Sequence, residues 1–403
     1  MIYYNINNIP DFNEFVQTKQ LNNNYYSADE YYTKENIKYS IVKYNKELLT
    51  NDLVNSYGLL RSVILSEFNN ILCFSPPKSI NADTFITKYP CKDETIIAEE
   101  FIEGTMINVF FDHIHGCWQI ATKNTVGGNV SFYKWSKTFA EMFFEACAYC
   151  QLNIQLLSPQ FCYSFILQHP ENRIVVPFKV PHLYLIAVYS INHTNNTIGI
   201  FESDIDEVRT NGLWNTTKIE FPIKYEFATY TELIEKFASP NTPYDILGIV
   251  IKNTSTGERT KIRNPIYEEV RHLRGNQPKL QYQYLTLRHS GKLAEFLKYY
   301  PETKTEMSKF RDQVHMFTNT LHKNYIACYV KKEKPLKDFS AQYRTHMYKL
   351  HQIFLNDLRE KKLFVTNTVV IKYVNELHPS LLMYCLNYNM RKKLIDTIKT
   401  SDI

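Results

Sequence analysis

Between about Tyr57 and Leu285, apolar and polar residues alternate with period two in short runs: 62–68 (SVILSEF), 70–76 (NILCFSP), 105–112 (TMINVFFD), 117–123 (CWQIATK), 163–169 (YSFILQH), 182–191 (HLYLIAVYSI), 197–203 (TIGIFES), 245–252 (DILGIVIK) and 260–264 (TKIRN). Alternation places successive side chains on opposite faces, so these runs predict strands. Helical spacing interrupts them at 138–150 and 230–239. Strands mixed with a few helices predict an α+β domain of mostly antiparallel sheets. After Arg288 the apolar spacing changes to three and four, at 291–300, 306–330, 339–362 and 380–399. That periodicity predicts an all-helical second domain. The first 55 residues are polar and Tyr-rich with a weak helical pattern. Three parts are therefore expected: an extension, 1–55, packed on the first domain; the strand-rich domain, 56–288; and a helical domain, 289–403.

Composition narrows the classes. The 403 residues are 44% hydrophobic and 22% charged, enough for a sizeable core and against wholesale disorder. No apolar run reaches the roughly 18 to 20 residues of a membrane span, so no membrane association is expected. The opening MIYYNINNIPDFNEF has neither a basic first stretch nor an apolar core, which points to the cytosol. Eight cysteines in such a chain read as free thiols. Abundant Asn, Lys, Ile and Tyr suit AT-rich coding DNA, as in a viral or parasite genome; for a large DNA virus the expected place of action is the host cytoplasm or a viral factory.

The net charge of +5 is unevenly spread: from Ser290 onward 20 Lys and Arg face 11 Asp and Glu, while the remainder has 26 basic against 30 acidic residues. A basic helical tail suits either a solvated surface or contact with RNA or a protein partner. Cys147 and Cys150 have metal or redox spacing, but within a helical pattern they read as a packed face. His113, His115 and Cys117 fall in a turn between two strands, so no metal site is expected there.

The chemistry-bearing residues come in a fixed order. They are Glu99-Glu100-Phe101-Ile102-Glu103-Gly104-Thr105, then Gln119 to Gly128 with Lys123, then Ser164-Phe165-Ile166-Leu167 running to Asn172-Arg173-Ile174-Val175, then Leu247-Gly248-Ile249-Val250-Ile251-Lys252, and finally Lys261-Ile262-Arg263. This order and spacing resemble the covalent nucleotidyltransferase superfamily of RNA ligases, DNA ligases and mRNA capping enzymes, and most closely the phage-type RNA ligases. The resemblance spans about Arg61 to Arg274. It implies an ATP-grasp-like ligase domain, in which a lysine attacks the α-phosphate of ATP, two glutamates serve the metal and the reacting groups, and basic residues hold the phosphates.

Three of those positions depart from the pattern. Phe101 stands where the resemblance places the nucleophilic lysine, and a benzyl side chain forms no phosphoramidate. Ile166 and Leu247 stand where it places the two glutamates. Glu103, Gly104, Arg173, Lys252, Lys261 and Arg263 are retained, with Arg61, Lys78 and Lys123 among the upstream basic residues. Arg271, Arg274 and Lys279 add positive groups downstream, placed for RNA phosphates. Tyr184 and Tyr189 are candidates for stacking on a base. The expectation is an inactive RNA ligase-like protein that binds an RNA end, a nucleotide or an mRNA cap, with no catalytic residue, metal or cofactor. One alternative is an active ligase or guanylyltransferase with a displaced lysine such as Lys78 or Lys123, using Mg and ATP. Another is a scaffold that keeps the fold for its surface.

Overall fold

The computed structural model describes residues 1–132, 137–194 and 197–392. The last part of the helical pattern at 380–399 therefore lies outside the described residues. The chain divides into two compact units, Met1–Arg271 and His272–Ile403.

The first unit is α+β, with three antiparallel sheets. The largest has six strands in the order Ile2–Asn5, Thr197–Glu202, His182–Thr194, Phe161–Gln168, Thr105–Asp112 and Cys117–Ala121. Alternation decides its two faces. Ile107 and Val109 pair with Phe165 and Tyr163 and bury against Met142, Phe143 and Ala146 of the helix Phe139–Cys150. Full burial of each such side chain is worth about 1.5–3 kcal/mol. The adjacent pair, Met106 and Ile166, points the other way. Further along, Phe110, Cys162 and Tyr189 pack against a four-stranded sheet of Tyr26–Tyr32, Lys38–Tyr44, Val63–Ser66 and Ile71–Cys73.

The third sheet orders Lys224–Tyr225, Ile96–Glu100, Gly248–Asn253 and Arg259–Arg263. Ile96, Ala98, Ile249 and Ile251 form its apolar face, buried against Phe85 of the helix Ala82–Lys88 and Leu233 and Phe237 of the helix Tyr230–Phe237. Partners across an antiparallel pair share a face. Glu99 opposite Val250, Val250 opposite Lys261, and Lys252 opposite Arg259 therefore make the other face polar and mostly cationic.

Two expectations need correction. The first 55 residues hold three strands and one short α-helix, Phe12–Thr18, where only a weak helical pattern was expected. Tyr39 and Ile41 are fully buried at period-two spacing, while the neighbouring strand Tyr26–Tyr32 is half-exposed and polar, which masks the alternation. These strands belong to two of the sheets, so the segment is part of the first unit's core rather than an extension packed on it. The boundary also falls at 271/272 instead of 288/289. The helix Leu280–His289 belongs to the helical unit, since Tyr284, Leu285 and Leu287 are buried at helical spacing. That unit continues through Leu293–Tyr299, Lys304–Tyr325, Ala341–Ile353, Asn367–Glu376 and Pro379–Leu386. Among the described residues no helix is long and apolar enough to cross a membrane.

Candidate functional site

The segment 101–104 carries the chain from the third sheet into the largest one. Ile96–Glu100 ends as Glu100 pairs with Ile249, and Thr105 begins the next strand beside Leu167. Gly104 makes the crossing with φ +151°, and a Cβ there would stand 2.5 Å from both Ile166 Cγ2 and the Leu167 carbonyl oxygen. Gly248, at φ +134°, would bring a Cβ to 2.1 Å from the Ile262 carbonyl. Both glycines are fixed by backbone approach, so their retention is explained without chemistry.

Where the two sheets diverge lies a cleft of about 510 Å³. Phe101, Ile166 and Leu247 all line it, bringing together three positions far apart in sequence. Arg61, Glu103, Gly104, Lys123, Lys261, Arg263 and Arg271 also line it. The ring of Phe101 is overlain by two cations, Lys261 Nζ at 4.6 Å and Arg263 Cζ at 5.8 Å from its centroid. Cation–π attraction holds these groups against the ring.

Positive charge dominates the cleft. Burial, followed by Arg259, Arg61, Arg263 and Lys78, holds the Lys261 ammonium well below the usual lysine range. Burial and the neighbouring Arg259 pull Arg61 down to about 10, which leaves it charged at neutral pH. Lys78 and Lys123 are lowered by burial and then by Arg61. Two guanidiniums are held by consecutive carbonyls of one loop: Arg61 Nη1 donates to Pro76 O at 3.3 Å, and Arg259 Nε donates to Pro77 O at 3.2 Å. Carbonyls orient these groups without neutralising them. Lys78 itself donates to Ser79 O at 2.9 Å, and Lys123 rests 5.3 Å over the Tyr44 ring.

Two carboxylates line the cleft, and both are engaged. Glu103 Oε1 accepts the backbone N–H groups of Val175 and Val176 at 2.9 and 3.1 Å, and the Tyr267 hydroxyl also donates to Glu103. Burial nevertheless raises its carboxyl above the ordinary range. Glu268 pairs with Arg263 at 3.3 Å and Arg271 at 2.8 Å.

Several expected residues lie elsewhere. Lys252 is ion-paired with Glu202, which also accepts the Tyr4 hydroxyl at 2.7 Å. Arg173 donates Nε to Val175 O at 2.9 Å, shaping the loop that holds Glu103. Arg274 and Lys279 belong to the helical unit. Tyr189 is core, and Tyr184 bonds Glu220; Ile186, at a bulge, lines the cleft instead. The residue missed was Arg259, although its period-two spacing with Lys261 and Arg263 was visible. His115 Nδ1 meets the buried Asp112 at 2.8 Å, and Cys147 and Cys150 are buried on their helix. Among the described residues no three His, Cys, Asp or Glu side chains gather as a metal-holding group.

The sequence has informative relatives. It is 24% identical over 339 residues to an RNA ligase of Rhodothermus phage RM378, covering 76% of this chain and 72% of that one. The chain resembles RNA ligases. An immediate-early protein ICP-46 homolog of Invertebrate iridescent virus 6 is 26% identical over 320 residues, 73% of this chain and 67% of the viral protein. No family model matches the chain. Among solved structures, an archaeal ATP-dependent RNA ligase superposes with TM-score 0.41 at 11% identity, over 83% of this RNA ligase-like chain and 75% of its own. A putative ATP-dependent DNA ligase from Aquifex aeolicus gives 0.40 at 12% identity, over 85% and 79%.

Proposed function

We propose that this RNA ligase-like protein holds the phosphate end of a nucleotide, an RNA or an mRNA cap in its cleft without forming a covalent nucleotide adduct. One observation carries the reading: the position assigned to the attacking lysine is Phe101, and Lys261 and Arg263 lie over its ring. Cations clustered around Lys261 repel one another, and a bound anion relieves that repulsion. The guanidiniums of Arg61 and Arg259 are already oriented by the Pro76 and Pro77 carbonyls, which reduces the ordering needed on binding. The basic helical unit, with Arg274 and Lys279, would extend RNA contacts or meet a protein partner. Both relatives named above are viral proteins, which supports a place in viral RNA processing or translation, in the host cytoplasm or a viral factory.

The test is adenylylation. Protein incubated with labelled ATP or GTP and Mg²⁺ or Mn²⁺ should yield no adduct that survives denaturation, while retaining RNA on a filter. A stable lysyl-nucleotide would overturn the proposal in favour of a ligase with a relocated lysine. For that rival the depressed Lys261, lying against Phe101, is a better candidate than Lys78 or Lys123. Mapping the adduct by peptide mass would identify the lysine.

A further inference from the structure

Nucleotidyltransferase chemistry uses a divalent cation, and the donors in this cleft do not suit one. Mg²⁺ asks for near-octahedral oxygen ligands, with at least one or two carboxylates free to face it. Ile166 and Leu247 supply no oxygen at the two positions assigned to acids. Glu103 is occupied by the Val175 and Val176 amides and the Tyr267 hydroxyl. Glu268 is occupied by Arg263 and Arg271. Thr105 Oγ1 accepts from Asn172 Nδ2 at 2.7 Å. Behind the lining, Glu202 is neutralised by Lys252, a cation of the chain itself.

The same space is already rich in positive charge. Arg61, Arg259, Lys261 and Arg263 line it, and Lys78 contributes to the field at Lys261. A divalent ion entering alone would meet repulsion from Arg61 and Arg259, whose guanidiniums are held by carbonyls rather than carboxylates, while Glu268 offsets part of the charge of Arg263. A free triphosphate carries roughly four negative charges at neutral pH, and its magnesium complex roughly two, so the bare anion matches this cluster better. Resting on the phosphate-binding reading above, we infer that the cleft takes a triphosphate group as the metal-free anion, fixed lysines and arginines supplying the charge that a metal ion supplies elsewhere. No bond is made or broken in this step.

The group can belong to a free nucleotide or to the 5′ end of an RNA. Equilibrium titration of the full chain with ATP, and separately with a short 5′-triphosphorylated RNA, distinguishes the two sources. Each is run in EDTA and again in excess Mg²⁺ at matched ionic strength. The expected result is binding in EDTA that weakens several-fold when Mg²⁺ complexes the phosphates, with the tighter ligand identifying the source. Binding that appears or tightens tenfold in Mg²⁺ would overturn the metal-free inference while leaving the phosphate-binding reading in place. Absence of binding by both ligands under both conditions would overturn the reading itself.

Discussion

Lys261 is the residue at which binding and stability oppose each other. Its ammonium is depressed by burial and by Arg259, Arg61, Arg263 and Lys78, so the fold favours its neutral form relative to the unfolded chain. For such a base, the stabilising contribution is complete above the unfolded value, near 10.4, and is lost as pH falls through the folded value. Below the unfolded value, protonation of this amine therefore works against folding. Lys261→Met should raise the urea midpoint at pH 7, and its advantage over the wild type should shrink as pH rises toward the lysine range. The same variant should bind triphosphate about ten- to a hundredfold more weakly, the range for one charge-assisted contact. An unchanged midpoint together with unchanged affinity would place Lys261 outside the site. That Phe101, Ile166 and Leu247 stand where the resemblance places an amine and two acids was readable from order and spacing, and the structure brings the three positions to one cleft. The engagement of Glu103 and Lys252 was not, since Val175 and Glu202 lie 72 and 50 residues away.

At the scale of elements, alternation positions the cations. In the strand Arg259–Arg263, Thr260 bonds the Ile80 carbonyl at 3.0 Å and Ile262 packs toward the core beneath, leaving Arg259, Lys261 and Arg263 toward the cleft. Another wall begins at the helix Phe139–Cys150, whose first residue lines the cleft. A reciprocal cap fixes its start: Thr138 Oγ1 accepts from Glu141 N at 3.2 Å, and Glu141 Oε2 accepts from Thr138 N at 2.7 Å. Thr138→Ala should cost about 1 kcal/mol in denaturant unfolding, and Thr138→Ser should recover most of it. This cap is a Thr-x-x-Glu pattern legible in sequence. The strand Ile96–Glu100 was harder to read, because its outer face carries Glu99 and its run is short. The half-exposed Tyr26–Tyr32 hid its alternation for a similar reason, having one face in solvent and tyrosines on both.

At the scale of the whole molecule, charge is divided between a cationic cleft in the first unit and a basic helical unit. Counterion release makes RNA affinity fall with salt at a slope of about −0.7 per phosphate neutralised on a single strand. RNA retention should therefore fall steeply between about 50 and 200 mM salt. Lys331→Glu with Lys332→Glu changes two exposed positions of the helical unit. If that unit contributes phosphate contacts, the double variant should show a shallower salt slope in filter binding, with triphosphate affinity in the cleft unchanged. An unaltered slope would exclude Lys331 and Lys332 as phosphate contacts.

The sequence by itself determined the α+β character, the helical C-terminal third, the resemblance to RNA ligases and the residue types standing where that resemblance places reactive groups, since all of these reside in local periodicity and residue type. Tertiary structure alone decided which cations converge and which are neutralised. Arg61, Arg259, Lys261 and Arg263 come together only because two sheets diverge at Phe101–Gly104, whereas Lys252, on the same cationic face, is paired with Glu202. A charge acts through its distance to other charges and its exposure to water, and folding sets both.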